Sequence, residues 1–176
     1  MASENGPSKP LLIDDRSRPG LQSNVGASWR CFTDQVMGGI SKAMLEADIF
    51  DGKPCLRLTG DVSLANNGGF VQMAVDLSET VVLDLAGYAG VRLEVRGNGE
   101  TYNVHLRTAD TQLPWQSYRA SFLTSPVWQI IDLPFRQFEP HRISRPLDLR
   151  LVRRLALVAI GRAFKADICL ASIWIY

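Results

Sequence analysis

Two histidines, His105 and His141, and three cysteines, Cys31, Cys55 and Cys169, are the only imidazoles and thiols in the sequence. A zinc centre needs four such ligands at short spacings. No C-x-x-C occurs, the cysteines are odd in number and widely separated, and no metal or cofactor is expected. The thiols read as small, buried or half-buried groups in a reducing compartment. Hydrolysis needs a nucleophile, a base and an orienting group within hydrogen-bond reach. No serine lies in G-x-S-x-G, no H-E-x-x-H occurs, and the Asp14-Asp15 pair is adjacent in sequence rather than convergent. No catalytic residues are assigned and the chain is not expected to be an enzyme.

Glycine clusters at Met37-Gly38-Gly39, Asn66-Asn67-Gly68-Gly69 and Gly97-Asn98-Gly99 lack the strand, the helix and the spacing of a phosphate loop. They read as turns that exploit positive φ and close backbone approach. Arginine gives the more informative pattern. Arg92, Glu94 and Arg96 alternate with Val91, Leu93 and Val95, and Asn103, His105 and Arg107 alternate with Tyr102, Val104 and Leu106. If the two runs pair through the turn at 97–100, these polar side chains share one sheet face. Ser117, Arg119 and Ser121 on a following strand extend it, and Trp115 flanks it. Guanidinium forks suit carboxylate, phosphate or a protein partner. Residues 136–165 also hold eight cations against two anions, read as a dispersed basic rim.

Strands must position these groups. Period-2 alternation bounded by Gly, Asn, Asp and Pro recurs at Leu11–Ile13, Trp29–Phe32, Ala43–Phe50, Cys55–Thr59 and Phe70–Val75. It returns at Gln116–Phe122, Trp128–Leu133, Leu155–Ile160 and Asp167–Ile175. Within these runs Trp29, Phe70, Phe122 and Trp128 supply apolar area, as do Phe135 and Phe138 beyond them. Helical patterns are scarce. Leu147–Leu157 reads as a turn or short helix leading into a strand. The pattern predicts an all-β antiparallel sandwich or barrel with at most one or two short helices.

The chain has 176 residues, 46% hydrophobic, with a net charge of +1. That balance gives no bulk attraction to nucleic acid, and no run nears the ~20 apolar residues of a spanning helix. Residues 1–10 read as a flexible tail and 11–176 as one domain. The N-terminus lacks an apolar signal core, so a cytoplasmic protein is expected, with peripheral membrane association left open.

Several segments in order resemble the complex I intermediate-associated protein 30 family. They are Trp29 with Asp34-Gln35-Val36-Met37-Gly38-Gly39-Ile40-Ser41; Phe50-Asp51-Gly52; Val62 to Gly68-Gly69-Phe70; Arg96-Gly97-Asn98-Gly99 with Tyr102; Tyr118 to Phe122; and Trp128 with Leu133 to Phe138. The resemblance implies an all-β, galactose-binding-like jelly-roll sandwich without catalytic activity, which in mitochondrial members helps assemble NADH:ubiquinone oxidoreductase by holding subunits or intermediates. It marks Asp34, Met37, Gly38, Gly39, Ser41, Gly68, Gly69, Phe70, Gly97 and Gly99 as signature turns. Asp34 and Ser41 are expected to bond the loop backbone. Asn98 stands where members often have Asp, and Ala74 near a frequent Arg. The function expected is a protein-binding assembly module whose face comprises Arg92, Glu94, Arg96, Asn103, His105, Arg107, Trp115 and Arg119. A carbohydrate or small-ligand module is the alternative, with a sugar as its ligand.

Overall fold

A computed structural model describes residues 8–78 and 82–176. Most of the expected tail, residues 1–7, lies outside the described residues. Twelve strands run through the rest: β1 (Leu11–Asp14), β2 (Arg30–Thr33), β3 (Lys42–Phe50), β4 (Lys53–Val62), β5 (Phe70–Asp76) and β6 (Gly90–Gly97). They continue as β7 (Thr101–Thr108), β8 (Ser117–Leu123), β9 (Gln129–Pro134), β10 (Glu139–His141), β11 (Val152–Ile160) and β12 (Phe164–Ile175). Helical structure among the described residues is confined to four 3-10 turns of three or four residues. One of them, Leu149–Leu151, leads directly into β11, as the Leu147–Leu157 pattern predicts. Among the described residues no helix is long and apolar enough to cross a membrane.

The strands form two antiparallel sheets. The first runs β3-β4-β12-β6-β9 with β1 beside the end of β12, and the second runs β10-β8-β7-β11-β5-β2. Every strand alternates, so each sheet turns one apolar face inward. Leu56, Leu58, Val91, Leu93 and Val95 from the first meet Met73, Tyr102, Val104, Leu106, Tyr118, Leu155 and Leu157 from the second in one buried core. In β12 the inward residues change parity, from Ile168 and Leu170 to Ile173 and Ile175. A register shift between Leu170 and Ser172 absorbs the change.

One expectation is corrected. β6 and β7 do not form a hairpin: they lie in different sheets, and residues 97–100 carry the chain across the sandwich. Close packing fixes this arch. A Cβ on Gly97 would stand 2.5 Å from the Thr124 hydroxyl oxygen, and Gly99 adopts φ +82°. Asn98 accepts from the Tyr102 hydroxyl at 2.8 Å and donates to the Lys165 carbonyl at 2.8 Å. An aspartate could make only the first of these bonds.

Trp29, Phe122, Phe135 and Phe138 enter the core as expected. Phe70 and Trp128 do not. Phe70 packs on the outside of the second sheet, and Trp128 is half-buried, with the Lys53 ammonium 5.3 Å above its ring. The adjacent aspartates also separate. Asp14 is buried, accepting from the Arg16 guanidinium and from the Trp29 indole at 2.6 Å, whereas Asp15 is exposed and caps Ser17.

Candidate functional site

The crossing at 97–100 splits the anticipated Arg-rich face into two faces on opposite sides of the molecule. Arg92, Glu94 and Arg96 lie outward on the first sheet, and each has a local partner. Arg92 donates to both Asp132 oxygens, at 2.7 and 2.8 Å, and Glu94 pairs with Lys53. Arg96 donates to the Pro126 carbonyl and stacks over Phe50, 3.3 Å from its centroid. These charges are consumed within the sheet.

On the second sheet the register places outward residues in rows. One row runs Phe32, Gln72, Val158, Asn103, Ser121, and the next Arg30, Ala74, Ala156, His105, Arg119, Glu139. A groove of about 750 Å³ lies over these rows, within the range of about 300–1,000 Å³ usual for ligand sites. Its floor has two chemistries. On the β2-β5-β11 side, Ala74, Ala156 and Val158 form a small apolar cluster with Phe32, Phe70 and Ile160. On the β7-β8-β10 side stand His105, Arg107, Arg119, His141 and Arg142. Of the eight residues anticipated as a face, His105, Arg107, Trp115 and Arg119 line the groove, and Asn103 stands in the adjoining row.

One buried carboxylate holds the wall beside β2 and β5. Asp34 accepts from the Ser41 amide at 2.9 Å, the Gly69 amide at 2.6 Å, the Phe70 amide at 3.3 Å and the Ser41 hydroxyl. Burial alone would raise its pKa. The hydrogen bonds from Ser41, Gly69 and Phe70 outweigh that effect and hold it below the usual carboxylate value. Two glycine motifs some thirty residues apart are therefore one structure. A Cβ on Gly39 or Gly68 would come within 2.4 or 2.5 Å of the Asp34 carboxylate, and Gly38 turns the chain at φ +87°. The expected backbone bonding by Asp34 and Ser41 is present, and it also spans to the second loop. Val36, Met37 and Leu64 are thereby presented at the groove's edge, 71%, 50% and 51% exposed. Across from them Trp115 is 50% exposed.

The cationic half has few partners. No carboxylate lines the groove among the described residues. Arg107 is held by the Thr111 and Pro114 carbonyls, each at 3.0 Å. Arg119 donates only from Nε, to the Ser117 hydroxyl at 2.9 Å. Its two Nη atoms and the Arg142 side chain bond nothing among the described residues. His105 is 8% exposed, and its Nε2 is buried without a hydrogen-bond partner. Burial first, then Arg119 and His141, pushes the imidazole pKa down to about 3, so the ring is neutral at physiological pH. Burial also lowers the pKa values of Arg107, Arg119 and His141, with neighbouring cations adding to the effect. Ser117 sits opposite His141 in register and its hydroxyl accepts from Arg119 Nε; no hydrogen bond from a carboxylate reaches either histidine among the described residues.

The basic segment 136–165 disperses as anticipated. Arg145 pairs with Asp110, Arg150 with Asp148, Arg154 with Asp76 and Arg162 with Glu100. His141 and Arg142 were not singled out from sequence. Pro140 interrupts any alternation around them, and only pairing of the short β10 with β8 brings them to the groove.

A family model described as Complex I intermediate-associated protein 30 matches residues 21–166. No curated protein matches the sequence. Among solved structures, the family 11 carbohydrate-binding module of the cellulosomal cellulase Lic26A-Cel5E of Clostridium thermocellum superposes with a TM-score of 0.74 at 10% identity, covering 97% of this chain and 95% of that one. A family 11 module from the same organism, in complex with a beta-1,3-1,4-mixed-linked tetrasaccharide, gives 0.72 at 11% identity with 94% of each chain covered. The family 30 module of its cellulase Cel9D-Cel44B gives 0.68 at 16% identity, covering 96% and 98%. At these identities the likeness establishes the jelly-roll sandwich.

Proposed function

The chain belongs to the complex I intermediate-associated protein 30 family, and from that premise we propose that it is a non-catalytic binding module that holds a protein partner during assembly of a respiratory complex, in the groove of its second sheet. The observation that carries this reading is the contrast between the two outer faces. On the first sheet Arg92, Glu94 and Arg96 are satisfied internally. On the second, the Arg119 Nη atoms and the Arg142 side chain have no partner among the described residues and line a groove edged by exposed Val36, Met37, Leu64 and Trp115, with the unpartnered His105 Nε2 buried beside them. Methionine, tryptophan and arginine around an apolar centre are the composition of protein interfaces.

Affinity capture from source-cell lysate tests it, using the wild type, a Trp115→Ala/Arg119→Gln groove variant and an Arg92→Gln/Arg96→Gln variant of the opposite face. Complex I subunits or intermediates should be recovered by the wild type and the opposite-face variant and lost with the groove variant. Equal recovery by the groove variant would overturn the assignment of the surface. Recovery of no respiratory subunit by any of the three would overturn the assembly reading.

A second reading has its own support, namely the half-exposed Trp115 beside an open groove on a fold shared with carbohydrate-binding modules. Affinity electrophoresis in mixed-linked glucan, with retardation abolished by Trp115→Ala, would favour it.

A further inference from the structure

We propose that the groove takes an acidic peptide segment, whose carboxylates lie against Arg119 and Arg142 beside His105 while a neighbouring apolar side chain rests on the Phe32, Phe70 and Val158 floor. This rests on the protein-binding reading and gives it a ligand chemistry. Three observations on different elements converge. The first is charge: cations from β7, β8 and the residue after β10 gather without a carboxylate among the described residues lining the groove. Arg119 is half-buried and its Nη atoms bond nothing described. A guanidinium removed from water without an anion is costly, and a carboxylate offsets that cost through a charge-assisted, forked contact.

The second is the His105 ring, in the same row as Arg119 and buried to within a tenth of its surface, with Nε2 buried and without a hydrogen-bond partner. Buried polar atoms without partners are rare in folded proteins. The neutral ring adds no positive charge of its own. The third is polarity. Sugar hydroxyls donate as well as accept, whereas the guanidiniums of Arg107, Arg119 and Arg142 that line this half are donors only. An anion needs only donors.

Geometry sets the occupant's length. From β11, which carries Val158, to β8, which carries Arg119, there are two strand spacings, roughly 10 Å, or about three residues of extended chain. The exposed aliphatic edge at Val36, Met37 and Leu64 fits a peptide's apolar residue better than a glycan's hydroxyls.

The test is calorimetric titration of the whole chain with an eight-residue peptide carrying two leucines followed by three glutamates. The same peptide with three glutamines and a polygalacturonate oligomer serve as comparisons. The glutamate peptide should bind at least tenfold more tightly than the glutamine peptide. Arg119→Gln should remove that preference, and Arg92→Gln, on the opposite face, should leave it intact. Quenching of Trp115 fluorescence on binding, absent in Trp115→Phe, would place the peptide in the groove. Equal binding of the two peptides would overturn the proposal, as would loss of the preference with Arg92→Gln or tighter binding of polygalacturonate than of the glutamate peptide. If the peptides bind equally while lysate capture still depends on the groove, the acidic chemistry fails and the partner-holding function stands. The converse pattern separates them the other way.

Discussion

Replacing Asp34 by asparagine should destabilise the fold by about 3 kcal/mol without changing the shape of the side chain. The carboxylate accepts four hydrogen bonds, three of them from backbone amides that have left water. An asparagine oxygen in the place of Oδ2 keeps Ser41 Oγ, Gly69 and Phe70 at neutral strength, about 0.5–1.5 kcal/mol each instead of about 1.5–3, and losing the buried charge's desolvation penalty offsets about half of that weakening. Its amide nitrogen then faces the Ser41 N–H, donor against donor, and leaves a buried amide unpaired at about 1–3 kcal/mol. For a chain of this size the loss corresponds to a fall in thermal midpoint of about 6–12 °C. The pH dependence has a definite sign. Because folding lowers the Asp34 pKa, its contribution is complete above the unfolded value of about 3.9 and is lost as pH falls through the folded one. Urea denaturation of wild type and variant from pH 7 to pH 3 should show the gap narrowing below about pH 4. A difference within ±0.5 kcal/mol at pH 7, or a gap that widens in acid, would refute the view that this carboxylate holds the two loops.

Gly68 has an ordinary φ, so Gly68→Ala tests contact alone. It should cost more than 1 kcal/mol in the wild type and clearly less in an Asp34→Ala background, a coupling readable from a double-mutant cycle. Phe122→Ala should cost about 3–5 kcal/mol and Trp128→Ala distinctly less, because only the former ring lies in the core; equal losses in denaturant melts would contradict that placement. His105 is neutral when folded down to about pH 3 but protonates near pH 6.5 when unfolded. The unfolded state therefore binds the extra proton between those values, and stability should fall as pH drops through that window, by at most about 1.4 kcal/mol per pH unit. His105→Gln should flatten this slope, and NMR titration of the ring should show no protonation above pH 4.

Alternation made the strands legible, because a buried face forces period 2 wherever it occurs. Val91, Leu93 and Val95, like Tyr102, Val104 and Leu106, point inward as their spacing indicates. What alternation could not distinguish is a hairpin from an arch. Two consecutive strands with apolar inner faces satisfy the same pattern whether they pair edge to edge or face each other across a core. The difference lies in Thr124 against Gly97 and in Lys165 bonding Asn98, contacts distant in sequence. The same limit hid the groove's second histidine, since β10 is three residues long and carries Pro140. It also hid the half-buried position, outside the core, of Trp128, whose size suggests core although its phase matches the outward Ile130 and Asp132. Asp34 was legible as a loop-bonding residue, but its reach to Gly69 was not.

That reach has a consequence for how such sequences can diverge. Positions 39 and 68 are glycine for a shared reason, the carboxylate of Asp34 standing where either Cβ would go. The three positions are therefore coupled: an aspartate at 34 forbids side chains at both, and losing its carboxylate relieves 68 more than 39, whose Cβ would still stand 2.8 Å from that of residue 34. Transplanting segment 34–41 into another sandwich without segment 64–70 would carry over a carboxylate with its donors left behind. The inheritable unit is the pair of loops, although the whole β3–β4 hairpin separates them.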